Sequence, residues 1–157
     1  MKTLLISLLL FFGSVTARCQ NVPLLTLDQL NTRIDDGKDT TYIVNFWATW
    51  CVPCLKELPA FETLHTKYKN EKLKILLVSV DDSTQAARSL TAFVKKRNLK
   101  NEVWWLHERS QQMFIDRIDP NWSGAIPATL MIKGKQRRFF EKDFTYPELI
   151  TEYQHLQ

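Results

Sequence analysis

The pentapeptide Trp50-Cys51-Val52-Pro53-Cys54 constrains what this chain can fold into more than any other stretch. Ahead of it runs Tyr42-Ile43-Val44-Asn45-Phe46-Trp47, whose length and β-branched and aromatic content predict a buried strand. Behind it, Leu55, Leu58, Phe61, Leu64 and Tyr68 recur at steps of three and four, which predicts an amphipathic helix. Both cysteines therefore belong where a strand ends and a helix begins. Unpaired N–H groups and the helix dipole favour negative charge at such a point, so a thiolate at Cys51 is expected to be stabilised. Pro53 agrees with this, because the first turn of a helix has no partner for an N–H there.

A Cys-x-x-Cys pair between a strand and a helix reads as a dithiol/disulfide redox site. Cys51, first in the turn, is the expected nucleophile, and Cys54 resolves the mixed disulfide. The alternatives are a permanent structural bridge and half of a zinc site. Zinc usually takes four ligands at motif spacing, and His65, His107 and His155 lie far apart, so no metal is expected. A fall of the Cys51 pKa from about 8.5 to about 7 would be within the range of such motifs. The thiolate fraction at neutral pH then rises roughly fifteenfold, and weaker nucleophilicity takes back roughly sixfold, for a net gain of about threefold. The same fall favours the reduced form by about 45 mV. The environment of Cys51 thus governs redox direction more than speed.

The run from Val44 to Pro59, Val-Asn-Phe-Trp-Ala-Thr-Trp-Cys-Val-Pro-Cys-Leu-Lys-Glu-Leu-Pro, resembles the active-site segment of the thioredoxin superfamily. Within it, the segment is most similar to the exported TlpA/ResA-like thiol-disulfide oxidoreductases, and the likeness extends over nearly all of the chain after the leader. The resemblance implies an α/β thioredoxin-like fold, a central mixed sheet flanked by helices, with no bound cofactor. It implies exchange with the thiols and disulfides of exported proteins, apocytochromes among them, in the reducing direction and fed by an electron-donor redox protein at the membrane. It places Trp50, Val52 and Pro53 beside the substrate. Ile126-Pro127, ahead of an apolar strand, matches the family's cis-proline segment, where the backbone of Ile126 pairs with an extended substrate. Pro59, inside the predicted helix, where it should kink the axis, is a superfamily feature as well.

One position departs from thioredoxins proper. They carry a buried aspartate where this chain has Asn45, and an amide cannot act as the base for the resolving cysteine. In the TlpA/ResA-like group a glutamate three residues after the second cysteine is implicated in tuning the site. Glu57 stands there, on the same helical side as Cys54, within reach for proton exchange. The bland alternative is a solvated glutamate near a helix start.

At the N-terminus, Met1-Lys2 precedes the apolar run Leu4 to Phe12, and Val15 and Ala17 occupy the −3 and −1 places of a cleavage site. Residues 1–17 are expected to be a secretory signal peptide, too short for a comfortable transmembrane span, rather than an uncleaved anchor, with export to the periplasm. The remaining residues, 18–157, suffice for one domain with its own core. Cys19 follows Arg18 rather than a small residue, against lipidation, and is expected to be an incidental third thiol. In an oxidising compartment the disulfide can form, and a reductant needs outside electrons.

The net charge of +4 is dispersed, and Lys95-Lys96-Arg97 and Arg137-Arg138 are short clusters rather than a nucleic-acid stripe. A helix is predicted over Leu27–Ile34, a strand over Leu73–Val80, and a helix over Ala86–Lys96 capped within Asp81-Asp82-Ser83-Thr84. A strand over Asn101–His107 and a helix over Gln111–Ile118 follow. Beyond Pro127 a hairpin turns at Lys133-Gly134-Lys135 into Gln136–Phe140, and Thr145, Pro147 and Glu148 open a last helix. Two other functional classes merit discrimination. A peroxiredoxin-like peroxidase normally carries Pro-x-x-x-Thr-x-x-Cys, which is absent before Cys51. A non-enzymatic binding module would use the cysteines as a permanent staple.

Overall fold

In a computed structural model, which describes residues 21–82, 86–108 and 110–157, a six-stranded mixed sheet lies between two helical layers. The elements are β1 (Leu24–Leu25), α1 (Leu27–Asp36), β2 (Thr41–Trp47), α2 (Val52–Lys67), β3 (Leu73–Ser79), α3 (Ala86–Arg97), β4 (Glu102–Leu106), α4 (Gln111–Ile118), β5 (Ala128–Lys133), β6 (Gln136–Phe140) and α5 (Tyr146–Gln154). The sheet order is β1-β4-β3-β2-β5-β6, with β1 to β2 parallel and β5 and β6 antiparallel. This is the thioredoxin-like architecture.

Central β2 is buried along its whole length because both of its faces are covered. Its period of two divides the core. Ile43 and Trp47 join Cys54, Phe61, Leu64, Leu149 and Tyr153 on the face covered by α2 and α5. Tyr42, Val44 and Phe46 join Leu27, Leu30, Phe114 and Ile118 on the face covered by α1 and α4. The helix predicted behind the cysteines buries Leu58, Phe61 and Leu64, and Leu55 and Tyr68 pack partly buried against them. It runs through Pro59 as one helix. Asn45 shares the α2 face with Ile43 and Trp47, a buried polar residue in an otherwise apolar row.

The predicted cap on α5 is present: Glu148 accepts from both the backbone N–H and the hydroxyl of Thr145. The structure adds a reciprocal capping box of Thr26 and Gln29 on α1. Gly134 takes φ +56° in the hairpin turn, where a side chain would be strained. Two differences stand out. Residues 24–25 form an edge strand that no pattern of two residues could announce; it exists through Trp105 N–H to Pro23 C=O and His107 N–H to Leu25 C=O. Asp81 does not turn toward α3 as a cap; its carboxylate is spent elsewhere. Ser83 and Thr84, with the leader and Cys19, lie outside the described residues. Among the described residues no helix is long and apolar enough to cross a membrane.

Candidate active site

β2 delivers the chain at Trp47 into a tight turn, where Cys51 N–H donates to Ala48 C=O, and α2 begins at Val52. Cys51 is the N-cap: its backbone is extended, and its Sγ accepts the Cys54 N–H at 3.3 Å. That places the sulfur against the open N–H end of a 16-residue helix, where negative charge is favoured. Cys51 and Cys54 are joined as a disulfide. Cys51 is 5 % exposed and Cys54 fully buried, so an incoming sulfur can meet only the first.

The turn is held from below by a residue that sequence reasoning assigned to another task. Asp81, just beyond β3, accepts the Thr49 N–H on both carboxylate oxygens at 3.0 and 3.1 Å, and the Thr49 hydroxyl at 2.7 Å. It also accepts the Ser79 hydroxyl at 2.6 Å, while its carbonyl accepts the Trp105 indole N–H. Buried bonds to a charged acceptor leave unpaired donors behind when that acceptor is lost. Asp81→Asn should therefore lower stability by about 1–2 kcal/mol, read as a lower urea midpoint at unchanged slope. An unchanged midpoint would show that the turn holds itself. The only sequence signal was an aspartate pair after an apolar strand, and that pattern equally suits a helix cap.

A second loop closes over the cysteines. The Ile126–Pro127 peptide is cis, and the Ile126 carbonyl oxygen lies 3.8 Å from Cys51 Sγ. The approach to that bond is fastened at both ends. Trp122 is buried among Phe46, Phe114 and Phe139, and its indole N–H donates to Ala125 C=O at 2.8 Å. Ser123 gives its N–H and hydroxyl to the Glu141 carboxylate, which holds that carboxyl below its ordinary pKa. No short-range sequence pattern announces the burial of Trp122.

Glu57 is not a solvated glutamate. It is 2 % exposed, and its Oε1 accepts from Asn45 Nδ2 at 2.7 Å while its Oε2 accepts the Phe144 N–H at 2.8 Å. Asn45 Nδ2 also donates to Thr129 Oγ1 at 3.1 Å. Burial pushes the Glu57 carboxyl up from 4.5 to about 7, against the two hydrogen bonds that favour its charged form. Three residues along α2 from Cys54, this is a buried acid able to gain and lose a proton near neutral pH.

Of the residues singled out in the sequence, Trp50 and Ile126 stand at one groove of about 500 Å³, walled by Trp105 and Phe114 as well. Trp50 is 67 % and Val52 62 % exposed; Val52 and Pro53 project from the first turn of α2 outside that groove. Pro127, next to Ile126, is buried.

A family model described as the AhpC/TSA family matches residues 15–137. The thiol-disulfide oxidoreductase ResA of Bacillus thuringiensis subsp. konkukian is 34 % identical over 83 residues, 53 % of this chain and 46 % of that protein. The chain thus spans about half the length of the curated relatives it matches. Among solved structures, a thioredoxin-related protein from Neisseria meningitidis serogroup B superposes with a TM-score of 0.65 at 23 % identity, covering 76 % of this chain and 88 % of the other. StoA from Bacillus subtilis superposes with a TM-score of 0.59 at 24 % identity, covering 74 % and 84 %. At these identities the two structures speak for the fold alone.

Proposed function

We propose, for a chain that belongs to the AhpC/TSA family and resembles thiol-disulfide oxidoreductases in its best-matched half, that it exchanges a Cys51–Cys54 dithiol with disulfides of exported proteins as a reductant. The observation that carries the reading is a Cys51 sulfur at the N-terminus of α2, beside the Ile126 carbonyl and 5 % exposed, with Cys54 fully buried one turn behind it. In the reducing cycle the Cys51 thiolate attacks a substrate disulfide and forms a mixed disulfide, and the other substrate sulfur leaves as a thiolate. Cys54 then attacks Cys51 Sγ, breaks the mixed disulfide and releases the second substrate thiol. Two electrons have moved to the substrate, and the protein is left as the Cys51–Cys54 disulfide. An external dithiol protein must restore it.

Glu57 serves Cys54 in this scheme, taking its proton before the resolving attack and returning it on reduction. Trp50, Val52, Pro53 and the Ile126–Pro127 segment form the rim that meets the substrate backbone. Residues 1–17 act as an export leader, residues 18–157 form the thioredoxin-like domain, and the site works outside the cytoplasm; the positive start, the apolar run Leu4 to Phe12 and the small residues Val15 and Ala17 support this.

The test is the reduction potential of the pair, by equilibration against defined thiol/disulfide buffers. A value near the roughly −270 mV of thioredoxin is expected. A value near the roughly −120 mV of a strong oxidant would reverse the direction, and a bridge that no biological dithiol reduces would leave only a staple. The peroxidase alternative lacks support at the residues it needs: Ala48 and Val44 stand where threonine and proline would be. The reduced protein should accordingly consume hydrogen peroxide no faster than a free dithiol does.

A further inference from the structure

The groove beside the cysteines has a charge opposite to that of the chain. Asp81, Asp82 and Glu108 line it, and among its described lining residues there is no lysine or arginine, although the chain as a whole carries +4. Its walls are aromatic: Trp50, Trp105 and Phe114. One end is Ile126, whose carbonyl faces Cys51 Sγ. Beyond Glu108 a second cleft of about 430 Å³ shares His107, Glu108 and Phe114 and leads to the exposed Met113. Carboxylates in a half-enclosed, apolar-walled groove concentrate cations, and aromatic faces attract the same groups.

Resting on the thiol-exchange reading, we propose that this groove selects extended polypeptide segments with a lysine or arginine within a few residues of the reacting cysteine. The substrate sulfur meets Cys51, the flanking backbone lies along Ile126, and the basic side chain enters the groove over Trp50 and Trp105 toward Asp82 and Glu108. Asp81 is already bonded to Thr49 and Ser79, so it contributes charge rather than a free hydrogen-bonding face. Glu108 keeps one oxygen on the Leu27 N–H and presents the rest of its carboxylate.

The test uses three peptides, identical except that the single cysteine is flanked by lysine, alanine or glutamate. Each is supplied as its mixed disulfide with 5-thio-2-nitrobenzoate. The Cys51 thiolate of the reduced protein attacks the peptide sulfur and displaces thionitrobenzoate; Cys54 then attacks Cys51 Sγ and frees the peptide thiol. Release of thionitrobenzoate gives the rate, divided for each peptide by its rate with dithiothreitol to cancel intrinsic reactivity. Each ion pair at a partly exposed site is worth roughly two- to fivefold, so at low salt the lysine peptide should react about tenfold faster than the glutamate peptide, with alanine between. High salt should shrink that ratio, and so should Asp82→Asn combined with Glu108→Gln, which keeps an acceptor for Leu27. Equal normalised rates, or a preference that survives the double substitution, would overturn the proposal and leave thiol exchange standing. No reaction with any of the three would overturn the thiol-exchange reading itself.

Discussion

Cys51→Ser is expected to reduce exchange with a protein disulfide by at least about a thousandfold, to the rate of buffer alone, because a serine hydroxyl has no accessible anion at neutral pH. Cys54→Ser should behave differently. Its Cys51 can still attack, but nothing resolves the product, so the reaction stops at a mixed disulfide that mass spectrometry reads as one substrate joined to one protein. The asymmetry follows from burial, since only Cys51 reaches the surface. Either substitution removes the disulfide, and closing a four-residue loop is worth about 2 kcal/mol in the chain-entropy account. The proper reference for both variants is therefore the reduced wild type. Residual turnover by Cys51→Ser would move the nucleophile elsewhere and end the assignment.

Glu57→Gln should abolish most of the dependence of stability on pH between about 4.5 and 7. The carboxyl titrates near 4.5 when the chain is unfolded and near 7 when folded. The folded state therefore holds the proton more tightly, and the stability linked to it is fully present below pH 4.5. It is lost progressively as pH rises to about 7 and stays lost above that. At about 1.4 kcal/mol for each tenfold change in ionisation, the loss is about 3 kcal/mol. The glutamine variant resembles the protonated acid, so its urea stability should match the wild type near pH 4 and exceed it near pH 8. The pH profile of thiol exchange should shift in the same variant if Glu57 serves Cys54. A variant with the wild-type slope of stability against pH would show that Glu57 is not the group responsible.

Asn45 makes that substitution tolerable, and its part in the site differs from the one read in the sequence. There it was a missing base. In the fold it is the partner of Glu57, and its own Oδ1 is buried without a hydrogen-bond partner among the described residues. Turning the amide over would offer that oxygen to a donor at Glu57, either the acid O–H or a glutamine N–H, and would let Thr129 donate to it in turn. An aspartate at 45 would instead set two carboxylates against each other in the core. Asparagine can accompany Glu57 through both protonation states.

The elements and the redox pair were legible because their signals are local. The apolar, β-branched and aromatic run Tyr42–Trp47, the three-and-four spacing behind Cys54, and the Thr145–Glu148 cap each act over a turn or a few residues, and the cysteines lie within one such turn. The two-residue β1 was not legible, because backbone pairing with β4 is its sole definition. Nor was Asp81, whose pattern fits a cap and a turn anchor equally well. By itself the sequence determined the fold class, the Cys51–Cys54 pair and the position of Glu57 on the helix behind it. Tertiary structure alone decided that Glu57 is buried, that Asn45 and the Phe144 N–H, 12 and 87 residues away, hold it, and that Asp81 anchors a turn 32 residues earlier. A carboxyl's ionisation and a loop's rigidity depend on which distant groups remove it from water and satisfy its hydrogen bonds, and those neighbours exist only once the sheet has assembled.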